Sequence, residues 1–548
     1  MARANRRLPE VPMRSLAHAV ILLWGWRRFA AAFLAGAVSS LAMAPWHLAP
    51  VLFVTLPVLV WLVDGAVSAG RGGVRRIRPA AAVGWWFGFG YFLAGLWWIG
   101  AAFLVEADRF AVLMPFAVVA LPAGLALFTA AGVAFARLVW VEGPARILAL
   151  AVGLSAAEWL RGHVLTGFPW NLLGQAAGAT DVTLQLASVV GVDALTFLIV
   201  VVAAAPAVLG DDPDVRPRWR IAVLALAGAI LLGDVGFGLW RLSGAAPVGE
   251  AVVPGVRLRI VQPAIDQAQK WSPEYRQATL DTLVALSDTK TGPDTLGVIS
   301  FTHVIWPETA LPFFLTEEPD ALARIADLLP TGTTLITGAP RIEVAGGGRR
   351  FYNSIYVVDD GGRIVDAYDK VHLVPFGEYL PLESWLSAIG LRQIVPAVGG
   401  FSAGPGRRSL TVPGAPSAGA LVCYEAIFSG AVVDPAHPPG FLLNLTNDGW
   451  FGHTAGPWQH LDQARTRAVE EGLPMVRAAN TGVSAVVDGY GRITAELGLG
   501  ERGVLDARLP SETPPVVFRR MGSYWLLTFY VFSFIVLVAG GRKLAWKR

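Results

Sequence analysis

The feature that most constrains this chain is a series of seven long apolar segments within its first 240 residues. Each is close to the roughly 20 residues that a helix needs to cross the hydrocarbon core of a bilayer. An eighth such segment, YWLLTFYVFSFIVLVAG, lies near the C-terminus. The sequence therefore predicts a multispan α-helical membrane domain with about eight transmembrane helices, at approximately 29–46, 50–68, 82–105, 111–136, 146–160, 184–209, 220–240 and 524–540.

The composition supports a membrane protein. Hydrophobic residues make up 54% of the 548 residues and charged residues only 16%, whereas soluble domains carry about 25% charged residues. The mean hydropathy is +0.52. The net charge of +3 is small, and it gives no reason to expect a nucleic-acid partner.

The basic residues predict the orientation in the membrane. They cluster beside the predicted spans at Arg27 and Arg28, RGGVRRIR (71–78), Arg146, RPRWR (216–220) and GRKLAWKR (541–548). With eight spans, all of these places fall on one side, which the enrichment of Lys and Arg in cytoplasmic loops identifies as the cytoplasm. We therefore expect a membrane domain over 1–241, a domain outside the cytoplasmic membrane over 242–520, and a transmembrane helix with a short cytoplasmic tail over 521–548.

Residues 242–520 are predicted to form an α/β domain. Helical patterns at 272–288 and 458–472 alternate with short β-forming runs that end at Gly or Pro, which indicates an α/β fold. The stretches DDGG (359–362) and GYG (489–491) predict hairpin turns. The predicted strands lie at 256–263, 303–308, 333–340, 354–370, 418–425, 441–448 and 482–497.

Three chemically complementary residues end predicted strands, where α/β folds place their sites. Glu308 follows HVIWP, Lys370 ends IVDAYDK, and Cys423, the only cysteine in the chain, follows GALV. A carboxylate can take the proton of a thiol, and a lysine can stabilise the thiolate and a later oxyanion. The backbone N–H of Tyr424 or Glu425 would complete the oxyanion site, and the set would suit acyl transfer through a thioester.

Taken singly, each of these residues has an ordinary alternative. A glutamate or lysine after a strand is usually solvated, and a lone cysteine usually behaves as a small buried hydrophobe. Sequence spacing alone does not bring the three together in space.

Five motifs in this segment carry a resemblance to a known family. They resemble motifs of the nitrilase superfamily, the carbon–nitrogen hydrolases, in the form that the apolipoprotein N-acyltransferase family carries. The resemblance covers about residues 256–510 and implies a nitrilase-like αββα sandwich; the membrane spans on either side are also that family's arrangement. The motifs are WPETALP, YDKVHLVPFGEYLP, LVCYEAIF, NLTNDGWFGHTAGPWQH and RAANTGVSAVVDGYG.

The resemblance implies roles for individual residues. Glu308 would be the base, Lys370 the electrostatic stabiliser and Cys423 the nucleophile of a Glu-Lys-Cys triad. Supporting residues would be Glu378, which helps to hold Lys370 or the transferred proton, together with Tyr424 and Glu425. Asn447 and Trp450 would line or brace the pocket, and Trp271 is similar to an aromatic residue of a mobile loop. The four histidines His303, His372, His453 and His460 are not at metal-ligand spacing, so no metal is expected.

The resemblance also implies a reaction and its partners. Cys423 would take a fatty acyl chain from a membrane phospholipid, and the thioester would then acylate the α-amino group of the N-terminal diacylglyceryl-cysteine of a lipoprotein. No cofactor is implied. The protein is expected to be a monomer in the bacterial inner membrane, with the phospholipid donor, the diacylated apolipoprotein acceptor and the bilayer as partners.

Two other functions are compatible with parts of the sequence. The first is a membrane-anchored amidase of the same superfamily that hydrolyses an amide or ester, although eight spans exceed what an anchor needs. The second is a non-enzymatic transporter or lipoprotein-binding scaffold. Transporters usually carry paired repeats and broken helices, and neither pattern is evident in this sequence.

Overall fold

The chain divides into two compact units. The computed structural model describes residues 12–67, 74–141, 143–212, 217–345, 348–381, 400–522 and 524–545. Parts of the basic segments 71–78, 216–220 and 541–548 lie outside these residues. The first unit holds residues up to Trp97, residues 113–240 and residues from Met521 onward, and the second holds 98–112 and 241–520. The sequence analysis placed 98–112 within the membrane domain 1–241, whereas the contacts group this segment with residues 241–520.

The first unit is built of helices. Many of them follow the predicted apolar segments, with short 3-10 turns at several of their ends. The α-helices are Pro12–Ile21, Trp26–Ser39, Leu52–Asp64, Val74–Leu96, Met114–Leu138, Ala145–His163, Asp181–Leu184, Ala187–Ala204, Pro217–Ser243 and Tyr524–Ala545.

Four helical stretches among the described residues are long and apolar enough to cross a membrane: Ile77–Leu104, Ala107–Leu138, Ala187–Gly210 and Arg218–Ser243. Two shorter apolar helices, Ala49–Asp64 and Tyr524–Leu537, coincide with two further predicted spans. The predicted spans at 29–46 and 146–160 form helices that are too short or too charged to belong to the four. A membrane-type helical region is therefore confirmed, and the number eight stays a prediction.

The helices Trp26–Ser39 and Val74–Leu96 approach each other closely. A Cβ atom at Gly36 would lie 1.9 Å from the carbonyl oxygen of Phe87, so only glycine fits there. In lipid, the hydrophobic effect does not drive helices together. Small residues at their crossings stabilise the contact instead, because they let the helix backbones pack closely. The apolar series is therefore packed as a helix bundle.

The second unit contains two six-stranded sheets. The strands are β1 Val252–Gln262, β2 His303–Ile305, β3 Thr334–Ala345, β4 Gly348–Val358, β5 Ile364–Asp369, β6 Ser409–Leu410, β7 Ala418–Val422, β8 Phe441–Thr446, β9 Met475–Ala479, β10 Ser484–Val487, β11 Ile493–Leu497 and β12 Gly503–Pro510. In the first sheet, the order is β12-β1-β2-β3-β4-β5, with β1, β2 and β3 parallel. In the second, the order is β11-β10-β9-β8-β7-β6, with β7, β8 and β9 parallel.

Three apolar cores stack these elements into four layers. One core joins the inner faces of the two sheets. A second joins the first sheet to helices Arg276–Ser287 and Pro319–Leu328, and a third joins the second sheet to helix Gly456–Glu471. The remaining α-helices of this unit are Ala107–Phe110, Gln267–Lys270 and Phe518–Met521. The predicted αββα sandwich is confirmed.

Both predicted hairpin turns are present. Strands β4 and β5 pair antiparallel across the turn that contains Gly362, whose φ is +74°. Strands β10 and β11 pair antiparallel across the turn that contains Gly491, whose φ is +81°. Glycine adopts such positive φ values without steric cost, which is why these stretches are readable in the sequence.

Candidate active site

The carboxyl ends of β2, β5 and β7 bring Glu308, Lys370 and Cys423 into one buried cluster. Their exposed fractions are 7%, 0% and 8%, respectively. The charges of both Glu308 and Lys370 act on the thiol of Cys423. Because the three come from three separate strands, only the two-sheet fold assembles them.

Cys423 is held in a strained backbone conformation between β7 and the 3-10 helix Cys423–Ile427. Its φ is +51°, a value that non-glycine residues rarely adopt and that persists mainly at functional sites. The carbonyl oxygen of Cys423 lies 3.1 Å from Nε2 of His460 and accepts from Nδ2 of Asn444 at 3.4 Å. These contacts fix the sharp turn that presents the thiol.

A glycine in β3 admits the segment that carries Glu308. A Cβ atom at Gly338 would lie 2.5 Å from the backbone nitrogen of Thr309 and 2.7 Å from Cα of Glu308. Any larger residue would push the segment away from the sheet. Thr309 itself has a φ of +45°, so the chain turns sharply directly after the carboxylate.

Electrostatics set the protonation states in the cluster. Burial raises the pKa of the Cys423 thiol, and the charge of Glu308 raises it further. Burial also raises the pKa of Glu308, while Lys370 opposes that rise. Burial alone would lower the pKa of Lys370, but Glu378 and Glu308 outweigh it and raise this pKa. The thiol is therefore neutral at rest, beside a carboxylate of increased basicity and a stable ammonium.

Glu378 lies beside Lys370. The ammonium Nζ of Lys370 lies 3.0 Å from Oε1 and 2.9 Å from Oε2 of Glu378. The second oxygen also accepts the backbone N–H of Val374 at 2.8 Å. The carboxylate therefore fixes the position of the ammonium.

Sequence reasoning missed Asn353, which lies in β4. Its amide Nδ2 donates to Oε1 of Glu308 at 2.7 Å and to Oε1 of Glu378 at 3.0 Å. One side chain thus bridges the two carboxylates of the site. The available signal was a polar residue within the run FYNSIYVV, whose neighbours are otherwise buried and largely apolar.

Glu425 acts as a local brace. Its Oε1 accepts the backbone N–H groups of Val371 and His372 at 2.8 and 3.1 Å and the hydroxyl of Tyr368 at 3.0 Å. Its Oε2 accepts the N–H of Val422 at 2.8 Å. One carboxylate therefore ties the segment after Lys370 to the turn that carries Cys423.

The neighbouring Tyr424 is buried among aromatic rings. Its ring packs edge-on against Phe428 at a centroid distance of 5.1 Å and lies 5.8 Å from the ring of His372. The ring of Tyr424 therefore packs against other aromatic rings directly beside the nucleophile.

Asn447 connects the turn after β8 to the segment that carries Trp271. Its Nδ2 donates to Oε1 of Gln267 at 2.6 Å, and its Oδ1 accepts from Asn480 at 3.1 Å. Trp271 directly follows the helix Gln267–Lys270, and it is part-buried. Trp450 lies in the 3-10 helix Asp448–Phe451 and is also part-buried.

One histidine unexpectedly meets Cys423. Ligand atoms of Cys423, Asp448 and His460 lie within 4.8 Å of one another, a grouping that sequence spacing did not suggest. Both carboxylate oxygens of Asp448 have partners, however: His460 Nδ1 at 2.9 Å and Arg477 Nη2 at 2.6 Å. The other ring nitrogen of His460 faces the Cys423 carbonyl. Because a guanidinium already supplies the positive charge, this cluster is an ion-pair network beneath the nucleophile.

The matches to known families fit both units. Residues 35–205 match the family described as apolipoprotein N-acyltransferase N-terminal domain, and residues 258–514 match the carbon-nitrogen hydrolase family. The chain belongs to the apolipoprotein N-acyltransferase family. An apolipoprotein N-acyltransferase of Rhodopseudomonas palustris is 52% identical over 512 residues, which cover 92% of this chain and 94% of the relative.

Other relatives match over almost their whole length. An apolipoprotein N-acyltransferase of Bradyrhizobium diazoefficiens is 50% identical, with 97% of this chain and 98% of the relative covered. The relative from Brucella suis is 47% identical, with 97% and 99% covered. Among solved structures, an amidase from Nesterenkonia is 20% identical over 48% of this chain and 93% of its own, with a TM-score of 0.33.

Proposed function

We propose that this protein is an apolipoprotein N-acyltransferase that moves a fatty acyl chain from a membrane phospholipid to the N-terminal diacylglyceryl-cysteine of a lipoprotein. The observation that carries the proposal is the buried cluster of Glu308, Lys370 and Cys423 at three strand ends. The near full-length relatives named apolipoprotein N-acyltransferase support the choice of substrates.

In the first half-reaction, Sγ of Cys423 attacks the ester carbonyl of the phospholipid while Glu308 takes the thiol proton. The raised pKa of the thiol makes this proton transfer necessary, because little thiolate exists at rest. Lys370 and the backbone N–H of Tyr424 stabilise the tetrahedral oxyanion. The carbon–oxygen bond then breaks, and Glu308 returns the proton to the departing glycerol oxygen. The products are a lysophospholipid and a thioester on Cys423.

In the second half-reaction, the neutral α-amine of the acceptor attacks the thioester carbonyl. Glu308 takes the amine proton as the carbon–nitrogen bond forms. The carbon–sulfur bond breaks, and the proton passes to Sγ. One nucleophile therefore serves two substrates in turn, which predicts ping-pong kinetics. No cofactor is required.

Both substrates are anchored in lipid, which accounts for the helical unit. We propose eight spans in the bacterial inner membrane, with residues 242–520 in the periplasm and a monomer as the working form. The four long apolar helices and the distribution of basic residues support this arrangement. Added protease should cut 242–520 in spheroplasts but not in inverted vesicles, and the opposite pattern would reverse the orientation.

The deciding experiment compares the wild type with Cys423→Ser. Wild-type protein incubated with phospholipid should gain the mass of one acyl chain on Cys423, and the adduct should disappear when a diacylated lipopeptide is added. The serine variant should form neither the adduct nor the N-acylated product. Release of free fatty acid without transfer to the amine would instead support the membrane-anchored amidase.

A further inference from the structure

A second lysine is buried beside the candidate catalytic cluster. Lys270 ends the helix Gln267–Lys270, and only 1% of the residue's surface area is exposed. Its ammonium Nζ donates to the main-chain carbonyl oxygen of Glu308 at 3.0 Å. Lysine is among the residues least often fully buried, so this placement needs a physical reason.

The charges around the thiol supply that reason. Glu308 and Glu378 are two buried carboxylates, and Lys370 balances only one of them. Lys270 interacts electrostatically with Glu308 and with Cys423, so it provides the second positive charge. Of the other buried acids nearby, Asp448 is paired with Arg477, and Glu425 accepts three backbone N–H groups. Without Lys270, Glu308 and Glu378 together would keep one negative charge that no lysine balances, which a buried site tolerates poorly.

The ammonium remains available as a cation at neutral pH. Burial lowers the pKa of Lys270 to about 8, while Glu308 and Cys423 oppose the fall. The protonated form therefore still predominates at pH 7. This is the form that can donate a charge-assisted hydrogen bond to the Glu308 carbonyl.

We propose that Lys270 is a positioning residue for acyl transfer. It holds the backbone of Glu308 and supplies the second positive charge that stabilises the negative charge developing at Cys423. The inference rests on the proposed function. It adds to that function a physical link between the base and the segment that carries Trp271, the next residue along the chain.

The segment that bears Lys270 is fastened at its other end as well. The side chain of Asp266 caps the helix by accepting the N–H of Ala268 at 2.8 Å, and Gln267 accepts from Asn447 at 2.6 Å. A displacement of Trp271 that withdrew Lys270 would thus remove a positive charge from the cluster. The position of this segment and the reactivity of Cys423 are therefore expected to change together.

The test uses the full-length protein in phospholipid nanodiscs and three variants. Lys270→Met keeps most of the side-chain volume and removes the charge, and Lys270→Arg keeps the charge. Lys290→Met is the matched control, because Lys290 is exposed. Two rates are measured from pH 6 to pH 10: alkylation of Cys423, the only cysteine, by iodoacetamide, and thioester formation.

Loss of a nearby buried charge shifts a pKa by about 1–3 units. We therefore expect Lys270→Met to move the alkylation profile upward by about one pH unit and to slow thioester formation at least about tenfold. Lys270→Arg should restore most of both rates, and Lys290→Met should match the wild type.

The outcomes separate the two proposals. If the wild type forms no acyl adduct, the proposed function fails and the inference fails with it. If the wild type forms the adduct but Lys270→Met gives the same pH profile as Lys290→Met, only the role of Lys270 is overturned. Slower thioester formation in Lys270→Met with an unmoved pH profile of alkylation would also overturn it, since that result indicates a purely structural lysine.

Discussion

Lys370 and Glu378 form an ion pair that is almost entirely shielded from solvent, with Nζ 2.9 Å from Oε2. A buried pair of this kind is costly to break, because the surviving partner keeps its charge without compensation. Because this ion pair lies beside Cys423, it controls the orientation of the Lys370 ammonium and not stability alone.

We therefore expect Glu378→Gln to impair acyl transfer. The amide cannot neutralise Lys370, so the ammonium loses its largest favourable charge interaction and its alignment with the oxyanion. The rate of thioester formation should fall by about 10²–10³-fold, as when an oxyanion-stabilising group is lost. Single-turnover measurement with phospholipid checks this. The exposed Glu317→Gln is the control, and equal rates for the two variants would contradict the prediction.

Replacement of Asn353 should change the pH dependence of the reaction. The hydrogen bond from the Asn353 side-chain amide lowers the pKa of Glu308, although burial raises that pKa by more. In Asn353→Leu this bond is gone, so the pKa of Glu308 should rise and the base should stay protonated to higher pH. The acidic limb of the pH–rate profile for thioester formation should move upward. An unmoved limb in a folded variant would show that the bridge between the carboxylates has no such effect.

Asp448 should link stability to pH. Burial would raise the pKa of Asp448, but Arg477 and His460 lower it to about 2, below the value of about 3.9 for free aspartate. The stability that the charged form contributes is thus complete above about pH 4 and is lost as the pH falls towards 2. Thermal unfolding followed across this range should show the loss.

Asp448→Asn should destabilise the second unit at pH 7 by about 3–5 kcal/mol, because Arg477 is left buried without its partner. Its further loss of stability at acid pH should be smaller than that of the wild type. Asp327→Asn, at an exposed position, provides the comparison. The prediction is wrong if the two variants unfold at the same temperature at pH 7.

Two adjacent tryptophans should differ sharply in how much their replacement by alanine destabilises the protein. Trp98 is 2% exposed, donates from Nε1 to Oε1 of Gln459 at 3.0 Å, and packs 4.7 Å from the ring of Phe451. Trp98→Ala should cost about 3–5 kcal/mol and increase proteolysis of the second unit. Trp97 is 51% exposed, and Trp97→Ala should leave proteolysis unchanged. Equal protease resistance in the two variants would exclude a packing role for Trp98.

Much of the architecture was predictable because it depends on local patterns. The apolar helices follow from segment length, and the hairpin turns from Gly362 and Gly491. Strand β12 was not predicted, because DAR within it interrupts the apolar pattern and its order in the sheet depends on pairing with β1. Glu308, Lys370 and Cys423 could be nominated, since reactive residue types at strand ends carry a chemical signal.

Asn353 and Lys270 could not be nominated in the same way. A lysine in a polar run of the sequence is common, and the one signal at Asn353, a polar residue among largely apolar neighbours, does not name a partner. Their importance lies in contacts with Glu308, which is 45 and 38 residues away. Such contacts exist only after the sheets have assembled.

The placement of 98–112 in the second unit has a consequence for biosynthesis. Trp98 leaves the ribosome 361 residues before its hydrogen-bond partner Gln459. At 5–20 residues per second, that interval is roughly 20–70 s. During this time the indole lacks both Gln459 and Phe451, so the second unit is completed by packing onto a segment that was made long before it. Translation speed and chaperone access over that interval should therefore influence how much active protein a cell obtains.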